Sequence, residues 1–209
     1  MMNTRRKMLA GMGGAATLLA GWAAMRGGDG MVETAYAKGA GAIPFPNVTL
    51  YTHEGRRVRF YDDLIRGKVV TFNMMYTQCT GKCPTMTANL RQFQQLLGDR
   101  VGHSVFMHSI TLQPLLDTPD VLKAYVEKYH VGRGWEFLTG APEDIEAIRF
   151  SLGFYDIDPE VDRNLTSHTG LVRMGNDSYE RWTMAPALTG PQHILATLNH
   201  VDREWVATS

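Results

Sequence analysis

Residues 69–76, VVTFNMMY, form a near-continuous apolar run that ends in a loop carrying both cysteines of the chain, Cys79 and Cys83. An apolar stretch of this length has the character of a strand covered on both faces, the usual setting of a central strand in a parallel sheet. Such a sheet needs crossover connections, so helices must follow. They do. Residues 84–97 place Met86, Leu90, Phe93 and Leu97 at helical spacing and stop at Gly98. A second apolar run, Val105 to Leu112, reads as another buried strand.

The remaining elements are placed by the same periodicities. Val48–Tyr51 and Val58–Phe60 alternate around His53-Glu54-Gly55, a hairpin signal. Thr118-Pro119 supplies a cap and a first-turn proline for a helix through Val121, Leu122, Tyr125 and Val126. Trp135–Leu138 is a short strand. Residues 142–152 are helical, with Ile145, Ile148, Arg149 and Leu152 in step. Residues 169–174 and 179–184 are strands expected to join through a turn at Gly175-Asn176-Asp177-Ser178, and residues 191–200 form a last helix. The order is a hairpin, βαβαβα, a second hairpin and a helix. It matches an α/β, thioredoxin-like three-layer sandwich with a mixed central sheet.

The body is expected to span residues 47–205, after a Gly/Ala/Pro-rich linker at 38–46. Ahead of it lies a leader, residues 1–37. Arg5, Arg6 and Lys7 precede an uncharged, Gly/Ala-rich stretch from Met8 to Met25, and Ala35-Tyr36-Ala37 offers a cleavage point. Adjacent arginines before a weakly apolar segment resemble a twin-arginine export signal; an uncleaved anchor that holds the chain at a membrane is the alternative. Either implies a periplasmic or other extracytoplasmic location. The 21 basic and 21 acidic residues balance, so there is no electrostatic footprint for nucleic acid. Two cysteines are too few for a disulfide scaffold.

Those two cysteines occupy Cys79-Thr80-Gly81-Lys82-Cys83-Pro84, where a buried strand gives way to a helix. Ligand chemistry in open α/β sheets gathers at the carboxyl ends of strands. A helix N-terminus offers free N–H groups and partial positive charge, which favour the thiolate, and Lys82 adds a cation. The three-residue spacer allows a disulfide and also lets two sulfurs splay around one soft ion. Of the seven histidines, His168 is the best third ligand. It lies in a polar loop before a late strand, and in a thioredoxin-like sheet that loop neighbours the cysteine loop. His108, inside an apolar strand, reads as core, as do Met74, Met75, Met86 and Met107.

Residues 76–84 (Tyr-Thr-x-Cys-x-x-x-Cys-Pro), the Asp117-Thr118-Pro119 helix start and His168 together resemble the Sco/SenC family of thioredoxin-like copper proteins. The resemblance runs from about Phe45 to Val201. It implies copper, as Cu(I) or Cu(II), held by Cys79, Cys83 and His168. It also implies a metallochaperone role toward a copper-receiving enzyme subunit such as that of cytochrome c oxidase. Two family acidic positions are occupied here by Gln113 and Ser167. The same cysteines serve a second reading, a thiol–disulfide oxidoreductase that keeps client cysteines reduced and draws on a thiol reductant, with Cys79 attacking and Cys83 resolving. A thiol peroxidase is a third reading; it needs an arginine beside the thiolate, and Arg91 is the candidate.

Overall fold

The computed structural model describes residues 45–202 except Thr169. The leader at 1–37 and residues 38–44 of the expected linker lie outside this range, as do residues 203–205 at the end of the expected domain. Among the described residues no helix is long and apolar enough to cross a membrane.

The two apolar runs form the middle of the sheet. β3 (Val69–Met75) and β4 (Val105–Thr111) pair in parallel over seven residues each, from Val69↔Val105 to Met75↔Thr111. β5 (Trp135–Gly140) continues in parallel on the far side of β4. The N-terminal hairpin, β1 (Thr49–Thr52) and β2 (Arg57–Arg59), adds antiparallel to β5. The late hairpin, β6 (Leu171–Asn176) and β7 (Arg181–Pro186), adds antiparallel to β3. The result is one seven-stranded mixed sheet, ordered β2-β1-β5-β4-β3-β6-β7.

Each face of that sheet has its own core. Met86, Leu90 and Phe93 of α1 (Lys82–Leu97), Leu122 and Tyr125 of α2 (Pro119–Lys128) and Ile194 and Leu198 of α5 (Pro191–Val201) pack on one face. Ile145 and Ile148 of α3 (Pro142–Ser151) join Phe60, Leu64, Phe72 and Ile110 on the other. Each fully buried aliphatic or phenyl side chain contributes about 1.5–3 kcal/mol, so these two layers account for the three-layer sandwich. The Thr118 side chain accepts from the Val121 N–H at 3.5 Å, with Pro119 in the first turn of α2.

Three expectations are corrected. The turn placed at residues 175–178 lies later, at Asp177–Glu180, because Gly175 and Asn176 still pair with Trp182 and Arg181. Gly175 serves close approach rather than turning: a Cβ there would lie 2.2 Å from Cε3 of Trp182. Phe45, inside the expected linker, already packs on Trp182 with ring centroids 4.6 Å apart. Finally, Phe60–Ile65 winds into a wide helical turn, closed by Arg66 N–H donating to the Tyr61 carbonyl at 2.9 Å, where the sequence showed only the end of a strand.

Candidate functional site

The parallel strands β3 and β4 deliver their carboxyl ends to one edge, and the two cysteines lie there. Leaving β3, the chain turns at once, with Cys79 N–H donating to the Tyr76 carbonyl at 3.2 Å. It then enters α1, whose first turn carries Cys83. Cys83 is 0% exposed and Cys79 8%, and both are free thiols.

Their acidities diverge. Burial pushes Cys79 up, but the Cys83 thiol, the N–H groups of Cys83 and Gly81 and the Tyr76 hydroxyl all point hydrogen bonds at its sulfur. Together they bring it below the ordinary thiol value. Cys83 is pushed up to about 12, first by burial and then by donating to Cys79. Tyr76 rises to about 12, first by burial and then because its protonated hydroxyl is favoured beside the same sulfur. Of the pair, Cys79 therefore gives up its proton more readily and Cys83 holds its proton more tightly. Lys82 was expected to lend charge, but its ammonium goes to the Thr166 carbonyl at 3.2 Å.

That contact sets the His168 loop beside the cysteine loop. A Cβ on Gly170 would likewise lie 3.7 Å from Lys82 Cδ. The ring itself is engaged elsewhere. His168 Nε2 lies 2.5 Å from the Asp162 carbonyl, and Arg149 Nη1 lies 3.4 Å from both ring nitrogens. Buried Arg149 pairs with Asp162 at 2.8 Å and with Glu146, and donates to the Phe154 carbonyl at 2.9 Å. Hydrogen bonding to Arg149 draws Asp162 down to about 2. Among the described residues no three His, Cys, Asp or Glu side chains converge to hold a metal ion. The structure thus brings Cys79 and Cys83 together and sets the His168 loop beside them, while the imidazole faces Asp162 and Arg149.

The other named residues fall into place. His108 is 3% exposed and stacks on Phe72 with centroids 5.1 Å apart, a core residue as expected. Met74, Met75, Met86 and Met107 are buried core residues too. Arg91 donates to the His130 carbonyl at 2.9 Å, so its Nε is committed to a loop far along the chain. Ser167, at one of the two substituted positions, donates to the carbonyls of Val161 and Asn164 and closes its own turn. Gln113, at the other, leaves the loop after β4 with a buried, unpartnered Oε1.

The SCO1/SenC family model matches residues 43–202, most of the chain and all of the described sheet. The chain belongs to the SCO1/SenC family. Protein sco1 of Schizosaccharomyces pombe is 30% identical over 129 residues, 58% of this chain and 46% of that one. The SCO1 protein homolog of Bacillus subtilis is 29% identical over 93 residues, 44% of this chain and 47% of that one. The chain thus spans about half the length of these two curated relatives. Among solved structures, Bradyrhizobium japonicum ScoI with copper bound superposes at a TM-score of 0.56 with 22% identity, covering 73% of this chain and 96% of that one. A structure of BsSco, described as having a disulfide switch and as a member of the Sco family of cytochrome c oxidase assembly proteins, superposes at 0.60 with 19% identity, covering 75% and 93%. At these identities the structures establish the thioredoxin-like fold of this SCO1/SenC member.

Two residues near the family motif escaped the sequence reading as site residues. Asp117 was noted only as a helix start. Arg149 stood in step with Ile145 and Ile148 on an apolar helix face, and a cation in that position is the signal that a buried anion must meet it.

Proposed function

We propose that this chain is an exported, copper-binding metallochaperone of the Sco type. It takes one copper ion as cargo on Cys79 and Cys83, with His168 as third ligand. It delivers or maintains that copper for a cuproenzyme such as cytochrome c oxidase. The observation that carries this reading is the pair of buried free thiols where β3 meets α1. Two sulfurs and an imidazole form a soft donor set suited to Cu(I). The copper-bound ScoI structure and the description of BsSco support the cargo and the client. The paired arginines of the leader support an extracytoplasmic site of action. The His168 ring faces the Asp162 carbonyl and Arg149, so joining the sulfurs requires the ring to turn away from them.

The test is metal analysis of the purified, reduced protein. One copper per chain is expected, lost in Cys79→Ser or Cys83→Ser and weakened in His168→Ala. Stoichiometric copper retained in the double cysteine variant refutes the assignment.

The unequal thiols favour a second reading, thiol–disulfide exchange. Cys79 thiolate attacks a client disulfide and forms a mixed disulfide, releasing one client thiolate. Cys83 then gives up its proton and attacks Cys79, releasing the second. Two electrons pass to the client, and a cellular dithiol reductant restores the pair. Absence of turnover on a mixed-disulfide substrate with a dithiol donor removes this reading.

A further inference from the structure

We propose that Asp117 is a positioning residue that sets the separation of the two cysteine sulfurs by pinning the cysteine loop through Thr77; this rests on the reading of Cys79 and Cys83 as the metal-binding pair. Asp117 is 0% exposed. A buried carboxylate is costly unless donors surround it, and an apolar residue of similar volume is often at least as stable in its place. Here the donors come from two separate stretches of chain. Thr77 donates twice, through its N–H to Oδ2 at 3.1 Å and through its hydroxyl to Oδ1. Thr111, the last residue of β4, donates its hydroxyl to Oδ2. Its Oγ1 in turn accepts the Gln113 N–H at 2.9 Å. The carboxylate therefore ties the loop after β3 to the end of β4, immediately before Thr118, the cap of α2.

What this tie controls follows from the neighbours of Thr77. Tyr76 is the residue immediately before it, at the exit from β3. Cys79 follows two residues later, held by its own N–H to the Tyr76 carbonyl. Tyr76, Thr77 and Cys79 thus move as one turn. Cys83 belongs to α1 and is fixed by the core around Met86 and Leu90. The two sulfurs sit on independently anchored supports, one a packed helix and the other a loop held by Asp117. Residues that orient a ligand without touching the metal commonly carry 10–100-fold in affinity.

The experiment uses the full chain, reduced, with Cu(I) affinity read by competition against a chromophoric chelator. The dithiol–disulfide equilibrium against glutathione and the stability in urea are measured on the same samples. Asp117→Asn keeps the volume but replaces one acceptor with a donor; it is expected to weaken Cu(I) binding about tenfold and to move the glutathione equilibrium severalfold. Thr77→Val should reproduce both shifts, Thr77→Ser should restore them, and the Asp117→Asn/Thr77→Val double variant should be no weaker than the worse single one. Should Asp117→Asn not fold, the Thr77 pair carries the test. Lowered stability with both equilibria within twofold of wild type overturns the proposal and leaves Asp117 a scaffold residue. If the wild-type chain takes up no Cu(I), the copper reading has failed, and the glutathione equilibrium alone decides: shifted by the variants it sustains positioning, unmoved it overturns it.

Discussion

The buried imidazole of His108 makes the stability of the domain acid-sensitive in a window that can be stated in advance. Neither ring nitrogen has a hydrogen-bond partner. Burial, with Lys68 and Arg56 nearby, pulls the group from 6.5 down to about 3. The carboxylate of Glu136 stands 3.8 Å from Nδ1 and does not reverse this. The folded protein therefore keeps His108 neutral, while the unfolded chain binds a proton below about pH 6.5. Full stability is present above 6.5 and falls as the pH drops toward 3. At about pH 5 the unfolded state has gained about 1.5 pH units of protonation free energy, or about 2 kcal/mol. That corresponds to roughly 4–8 °C in Tm for a domain of this size. The perturbation is His108→Leu, close in volume and with nothing to titrate. At neutral pH it should be near neutral or stabilising, because two unpartnered polar atoms leave the core. Urea unfolding of both proteins at about pH 7.5 and about pH 5 separates this group from the carboxylates, which the two chains share. The wild type should lose about 2 kcal/mol more than the variant between the two conditions. Parallel losses would refute the assignment of a neutral, proton-refusing His108.

Two further outcomes follow from close packing and from charge burial. Gly175→Ala should destabilise the late hairpin by about 3 kcal/mol in urea titration, since the new methyl meets Trp182 at 2.2 Å and the indole is backed by Phe45; a loss under about 1 kcal/mol would mean that the hairpin yields freely. Arg149→Met should cost about 3 kcal/mol by the same measurement, because Asp162 and the Phe154 carbonyl lose their buried partner; an unchanged midpoint would show that the cluster is not coupled to folding.

What was legible in the sequence was local. The runs at Val69–Met75 and Val105–Thr111 announced themselves because a strand buried on both faces has no polar alternation to disguise it. Thr118-Pro119 was readable because a cap and a first-turn proline act within one turn of their own position. Gly175-Asn176-Asp177-Ser178 misled for the converse reason. Its composition is that of a turn, but Gly175 answers to Trp182 across the hairpin, a contact that no window of neighbouring residues contains. Phe60–Ile65 went unread because its wide winding, with Phe60, Leu64 and Ile65 buried, follows neither the 3.6-residue nor the two-residue period.

The candidate site divides along the same line. Cys79 and Cys83 were singled out as candidates because residue type and the strand-to-helix junction are both written locally. The difference between the two thiols depends on which sulfur receives the Tyr76 hydroxyl and the N–H of Gly81, so it appears only once the loop is folded. The loop position of His168 was readable from strand order, since β6 runs antiparallel to β3 and must begin near the end where β3 finishes. Its ring direction was not. That is decided by the Asp162 carbonyl and by Arg149, a buried cation met by Glu146 of its own helix and by the acid that α4 (Pro159–Asp162) brings to it. The imidazole is thus drawn toward a charge cluster that the fold needs for its own stability and, on the proposed reading, toward a pair of sulfurs that it needs for its cargo. On that reading, any Cu(I) affinity contributed by His168 would be net of the contacts its ring now makes with Asp162 and Arg149.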